Sequence, residues 1–266
     1  MDRVGIIGYG HMGSMLVKGF LTSGALLAGE VVVASKSQES RDACAAVWPG
    51  ISIAETNTEL ARQCRLIIIA VRPQETKGVL SEIVPVMDGD EHIVSLAAGI
   101  SLGDIEELFT GSVTRAVPTV TSTVGQGTTL VCHGRQVGMH GALRVEGLFS
   151  SIGHVMLVDE GELPAATLLS SCGPGLLAAI IEELARSASR ASGLPKERAV
   201  VLATEMAAAT AAYLRETGRA PGDVIGEVAT GGGVTEVGVR RLREQLPGVF
   251  DEAVVSMLER CETVGK

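Results

Sequence analysis

Gly8-Tyr9-Gly10-His11-Met12-Gly13 is the stretch whose residue types and spacing are best suited to chemistry. In such a run the first Gly permits a tight turn and the second lets the backbone approach a pyrophosphate. The third lets a helix pack closely on a strand. The helix start adds free N–H groups and positive dipole, a ready anion site. The flanks make the pattern specific. Val4-Gly5-Ile6-Ile7 reads as a buried strand, and Met12, Met15, Leu16, Gly19 and Phe20 recur at helical spacing. The alternative is a Gly-rich turn that holds nothing.

A dinucleotide with or without a 2′-phosphate is distinguished after the second strand. An acidic residue there holds the ribose 2′-hydroxyl of NAD. This chain has Ser35-Lys36-Ser37 and no carboxylate until Glu39. Two hydroxyls and a cation suit a 2′-phosphate, so NADPH is favoured over NADH. The alternative makes Lys36 an ordinary surface lysine. FAD is disfavoured, since later Gly-rich flavoprotein motifs are missing.

A second Gly cluster runs from Val228 through Thr230, Gly231, Gly232, Gly233, Val234 and Thr235 to Gly238, just before a predicted helix. Backbone amides with the Thr230 and Thr235 hydroxyls suit a small carboxylate. A third, Ser170-Ser171-Cys172-Gly173-Pro174-Gly175, interrupts a helical pattern. Each alone reads equally as a helix break. Beside a nucleotide-binding half, they point to a small anionic substrate.

The elements that position these residues come in two styles. Residues 31–34, 66–71, 92–96 and 114–117 are short, apolar, β-branched runs, with helical periodicity at 38–48, 75–87 and 101–109. This is βαβ repetition, an α/β doubly wound Rossmann-type sheet. Residues 128–132 and 154–158 are candidate edge strands. From residue 161 strand signals cease, and 163–192, 196–217, 223–228, 234–246 and 248–262 read as helices. We therefore expect a nucleotide-binding domain over 1–160 and an all-helical domain over 161–266. Its Ala-rich helices suit a dimer interface; a single intramolecular bundle is the alternative.

The totals exclude several classes. A net charge of -9 argues against nucleic acid. The five cysteines, odd in number and without a CxxC pair, fit a reduced cytoplasmic protein. No signal peptide is evident, and the uncharged apolar runs, such as 66–71, are too short to cross a bilayer. His11 sits in the Gly loop, where it would cover the pyrophosphate. His92, His133, His140 and His154 show no metal spacing, so no metal is expected.

Over nearly its whole length the chain resembles the pyrroline-5-carboxylate reductase family. The resemblance is carried by Gly8–Gly13, Ala34-Ser35, Asn57, Ala70-Val71-Arg72-Pro73-Gln74 and Ser95-Leu96-Ala97-Ala98-Gly99-Ile100. Further along it is carried by Pro118, Gly125-Gln126-Gly127, Ser170–Pro174 and Gly232–Thr235. It implies NADPH or NADH as cofactor, reduction of a cyclic imine to proline, and a dimer interleaved through its helical domains. It implies cofactor contacts at Gly8, Gly10, His11, Met12, Gly13, Ser35, Lys36, Ser37, Asn57, Ala70, Val71, Arg72, Pro73, Ala97, Ala98, Gly99 and Pro118. It implies substrate contacts at Thr230, Gly232, Gly233, Val234, Ser171 and Cys172, with Thr235 near the ring nitrogen as the catalytic residue.

Three departures fall on the expected active site. The family usually has Pro-Asn-Thr-Pro where this chain has Pro118-Thr119-Val120-Thr121, Ser in place of Cys172, and Pro in place of Gly231. They leave room for another imine substrate, or for a cofactor-binding regulatory paralogue without turnover. A third reading, the 3-hydroxyacid dehydrogenases, shares the Gly-x-Gly-x-Met-Gly opening but needs a helical-domain lysine. Lys196 and Lys266 are the only ones after Lys77, and neither is well placed.

Overall fold

The short apolar runs pair as strands because both of their faces are covered. The structure, a computed structural model, describes residues 3–263. In chain order the first part is β1 (Val4–Ile7), α1 (His11–Thr22), β2 (Val31–Ala34), α2 (Gln38–Val47), β3 (Ser52–Ala54), α3 (Asn57–Ala61), β4 (Leu66–Ile69) and α4 (Pro73–Ile83). Then come β5 (His92–Ser95), α5 (Leu102–Glu106), β6 (Ser112–Val117), β7 (Gly127–His133), α6 (Met139–Ser150), β8 (Gly153–Leu157) and α7 (Leu163–Thr167). The strands form one sheet in the order β3-β2-β1-β4-β5-β6-β7-β8. Every pairing is parallel except β6 with β7.

Alternation along β1 divides the core. Val4 and Ile6 pack with Phe20 of α1 and Phe149 of α6, whose rings meet edge to face at 5.6 Å. Ile7 packs on the other face with Leu80, Ile83 and Ile105. Of the two candidate edge strands, β8 is an edge. β7 lies one place in, between β6 and β8.

The pieces the sequence pattern did not show are the shortest. β3 has three residues and α3 has five, too few to repeat a period. The predicted strand 66–71 ends at Ile69, which releases Ala70 and Val71 into the loop before α4.

The remaining helices are α8 (Gly173–Ser192), α9 (Lys196–Thr217), α10 (Pro221–Val228) and α11 (Val234–Thr263). The Ser170–Gly175 interruption is a π-turn, Leu168–Cys172, followed directly by α8. The two helices expected at 234–246 and 248–262 are one, with Pro247 inside it. A proline removes one helical N–H donor, and the helix continues through it. The chain parts into two units: residues to Ser171 with the end of α11 from Leu258, and Cys172–Met257. In the second unit the buried core is Ala185, Ala199 and Ala203, where α8 and α9 pack. Leu177, Leu184, Leu202, Met206 and Val249 stay exposed. The segment Glu160–Ser192 is apolar and long enough, by length and composition, to cross a membrane, and its uncharged run 163–181 corrects the expectation that all such runs are too short.

The first unit carries a buried polar chain at the amino ends of β5 and β6. Thr114 Oγ1 lies 2.8 Å from His92 Nε2 and 2.8 Å from His133 Nδ1, and His133 Nε2 lies 3.2 Å from Glu146 Oε1. A carboxylate only accepts, so His133 Nε2 donates to Glu146. Its Nδ1 then accepts from Thr114, whose oxygen accepts from His92 Nε2. Burial disfavours a second proton on His92 and, with His133 and Arg144 nearby, lowers its pKa from 6.5 to about 4. Above about pH 6.5 the ring is neutral folded or unfolded. Between 6.5 and 4 the unfolded chain takes up the proton that the folded chain refuses. Stability should therefore fall by about 3 kcal/mol across that window. Urea midpoints across the window should show it, and His92→Gln should flatten the slope; an unchanged slope refutes the assignment.

Candidate functional site

The β1–α1 turn is built on two contacts that admit no side chain. A Cβ on Gly13 would lie 1.9 Å from the Gly8 carbonyl oxygen. One on Gly8, whose φ is +101°, would lie 2.7 Å from the Ala70 carbonyl oxygen. Gly8 N–H donates to Ala34 O and Ala70 N–H to Ile7 O, each at 2.8 Å, so the turn is tied to β2 and β4. Gly10 differs. A Cβ there would meet nothing within 4 Å, so its backbone faces open space. Gly10 is also the N-cap of α1, and the first helical hydrogen bond is Ser14 N–H to Gly10 O. The N–H groups of His11, Met12 and Gly13 thus have no carbonyl in their own helix. No side chain caps them and no acid lies in the first turn. The donors fit a diphosphate.

A cleft of about 330 Å³ opens beside this turn at the carboxyl edge of the sheet. It brings together Gly8, Gly10, Ser35, Lys36, Ser37, Asn57, Ala70, Val71 and Arg72. His11 and Met12 line an adjoining pocket with Trp48 and Val120, and Tyr9 borders both. Pro73 is the first residue of α4. Ala97, Ala98 and Gly99 follow the end of β5, and Pro118 follows β6. The crevice outside the carboxyl ends of parallel strands is where such sheets hold ligands.

At the end of β2, Ser37 caps α2 by accepting from Ser40 N–H at 3.3 Å, and Arg41 donates to Ser35 O. Lys36 is not a bare lysine. Its Nζ lies 3.1 Å from Glu75 Oε1, and that bond, against some burial, holds the Glu75 carboxyl below the usual range. Glu75 escaped sequence reasoning because it stands 39 positions from Lys36 and joins the cleft from the first turn of α4. Asn57 Nδ2 donates to Glu82 Oε2 at 2.7 Å. Tyr9 was missed too; burial and the neighbouring Cys44 raise its phenol to about 12.

The other expected site residues fall mostly in the second unit. Thr230–Gly233 is a turn in which Gly233 N–H donates to Thr230 O at 2.8 Å, and Gly232 has φ +74°. Gly232 N–H donates to Glu236 Oε2 at 2.6 Å. The Gly232 and Gly233 N–H groups are therefore engaged. At the start of α11 the N–H groups without a carbonyl in their own helix are those of Val234, Thr235 and Glu236, all exposed. Ser171 and Cys172 sit in the π-turn, and the neighbouring Ser170 hydroxyl is buried without a hydrogen-bond partner. In the altered loop of the first unit, Thr119 is buried with its hydroxyl 2.7 Å from that of Thr121, and Val120 is exposed.

Comparison with known proteins matches both halves. Residues 160–264 match the pyrroline-5-carboxylate reductase dimerisation family, and residues 3–99 match the family described as NADP oxidoreductase, coenzyme F420-dependent. Pyrroline-5-carboxylate reductase 3 of Bacillus subtilis is 32% identical, over 98% of this chain and 96% of that one. The Pisum sativum reductase is 31% identical, over 97% and 94%. Among solved structures, the Coxiella burnetii reductase superposes with a TM-score of 0.92 at 24% identity, over 100% and 99% of the two chains. The Plasmodium falciparum enzyme, solved with NADP bound, superposes at 0.87 with 23% identity, over 100% and 98%. With relatives of this identity along its whole length, and with the glycine-lined cleft and the Gly–Gly–Val–Thr turn both in place, the chain belongs to the pyrroline-5-carboxylate reductase family.

Proposed function

We propose that this chain reduces pyrroline-5-carboxylate to proline with NADPH. The observation that carries the cofactor half is the open face of Gly10 over unpaired helix N–H groups, between two glycines that admit no Cβ. When bound, the reduced nicotinamide supplies hydride. The N–H groups at the start of α1 hold the diphosphate, and Ser35, Lys36 and Ser37 hold the 2′-phosphate. Asn57, Ala70–Pro73, Ala97–Gly99 and Pro118 line the remainder of the cofactor's course. Residues 1–160 are the cofactor domain and 161–266 the substrate and dimerisation domain. Five cysteines, odd in number and without a CxxC pair, fit a reducing cytoplasm.

The substrate half rests on the turn before α11. Gly232 N–H already holds a carboxylate, that of Glu236. A substrate carboxylate takes this donor together with the Val234 and Thr235 N–H groups, and Thr230 and Gly233 shape the turn. Ser171 and Cys172, beside the unpartnered Ser170 hydroxyl, lie against the substrate. A cyclic imine is basic enough to be partly protonated near neutral pH, so it accepts hydride without a strong acid. Thr235 donates to the ring nitrogen or orders a water that does. Catalysis is then proximity and electrostatic orientation. The altered loop, with Val120 in place of the usual Thr, favours a second reading, in which another carboxylated cyclic imine is the better substrate.

The protein acts as a homodimer or a higher homo-oligomer. Three alanines are the buried core of α8 and α9, while Leu177, Leu184, Leu202 and Met206 on the same helices stay exposed. A face this apolar needs a partner surface, and it also accounts for the apolar character of Glu160–Ser192 without a bilayer.

Three measurements test these readings. Gly10→Val should fold normally, since its Cβ meets nothing, yet lose NADPH in calorimetric titration; retained affinity would refute the diphosphate site. Thr235→Ala should lower kcat for pyrroline-5-carboxylate by about 10- to 100-fold, the worth of one hydrogen bond of about 1–3 kcal/mol, and leave NADPH affinity unchanged. An unchanged kcat would remove Thr235 from the mechanism, and a parent protein without any imine turnover would remove the reductase reading. Light scattering should report a dimer or larger for the full chain, and an active monomer would contradict the helical interface.

A further inference from the structure

The end of β2 offers no carboxylate, yet the cleft has one. Glu75 reaches it from α4 and pairs with Lys36 at 3.1 Å. Both side chains line the same wall as Ser35, Ser37 and Arg72. Lys36 is 75% exposed and Glu75 38%, so both are free to exchange this partner for a ligand. We propose that Glu75 is a cofactor-selectivity residue, whose carboxylate sets how strongly the cleft distinguishes a 2′-phosphate from a 2′-hydroxyl. This rests on the reading of the cleft as the NADPH site.

Glu75 and a 2′-phosphate compete for the Lys36 ammonium. A carboxylate accepts from a ribose hydroxyl but repels a phosphate. To reach the phosphate, Lys36 must leave Glu75, and the carboxylate it leaves stays nearby as a like charge. Arg41 does not substitute for it, since its guanidinium is engaged by Ser35 O, Lys36 O and Gln38 Oε1. With a plain 2′-hydroxyl, the Lys36–Glu75 pair stays intact and Glu75 accepts a hydrogen bond from the hydroxyl. Glu75 therefore does from α4 part of what an acid after β2 does in NAD-selective sheets. It narrows a preference for NADPH that Ser35, Lys36 and Ser37 would otherwise make steep. In an exposed site each of these effects is moderate and weakens with salt.

The test is the pair of dissociation constants for NADPH and NADH, measured by calorimetry on the full-length protein, in the parent, Glu75→Gln, Lys36→Ala and the double variant. Glu75→Gln should tighten NADPH about tenfold and weaken NADH a few-fold. The NADH-to-NADPH ratio of constants then rises by more than tenfold, and the gain shrinks at high salt. In Lys36→Ala the same change should help NADPH less, because no ammonium is released. A ratio unmoved by Glu75→Gln, or a loss of NADPH affinity, overturns the proposal while leaving the cleft assignment standing. Failure of the parent to bind either cofactor would overturn the cleft assignment, and the selectivity role with it. A thermal melt shows that Glu75→Gln is folded, and a merely structural role at this helix surface would move both constants together.

Discussion

The approach of α1 to β1 is the constraint on which the rest depends. With 1.9 Å between the place of a Gly13 Cβ and the Gly8 carbonyl oxygen, helix and strand meet backbone to backbone. No other residue type permits that distance. The approach brings the positive end of α1 over the carboxyl edge of the sheet. It leaves the N–H groups of His11 and Met12 facing outward and sets Gly10 in the open. β2 and β4 are tied to the same turn through Ala34 and Ile7. Ser35–Ser37 and Ala70–Arg72 therefore emerge from their strands along the cleft. The cleft is a consequence of how two glycines pack, and only its chemistry is supplied by side chains.

The two units solve the burial problem differently. In the first, eight strands are covered by helices and the large side chains Phe20, Phe149, Leu80 and Ile83 are fully buried. In the second, small residues let α8 and α9 approach closely, and the leucines and methionines face outward. A unit built this way gains stability from whatever covers those exposed side chains. The family match to a dimerisation module over 160–264 agrees with that economy of core.

Much of this was legible in the residue order, for physical reasons that differ by element. β1, the Gly turn and α1 were legible because a glycine pattern flanked by two distinct periods admits few backbone paths. The boundaries of β4 and α4 were not, because Ala70 and Val71 are apolar enough to extend a strand, and only Pro73 marks the turn. β3 and α3 are shorter than the periods that reveal such elements. Pro247 promised a break that the long helix absorbs. At the site, Lys36 was legible as a cation but not as a paired one, since Glu75 is brought to it only by the fold. The second Gly cluster was legible as a turn before a helix. That its Gly232 N–H is taken by Glu236 is a capping detail that spacing alone does not decide.

The central claim is that hydride passes from the nicotinamide of NADPH directly to the doubly bonded ring carbon of pyrroline-5-carboxylate. The most direct measurement is isotope transfer. NADPH carrying deuterium at the transferred position of its nicotinamide ring is turned over with pyrroline-5-carboxylate, and the product is read by mass spectrometry. The account predicts proline carrying one deuterium, on the ring carbon that was doubly bonded to nitrogen. Undeuterated proline from either face of the labelled ring, or cofactor that stays bound and reduced while no proline forms, would contradict it.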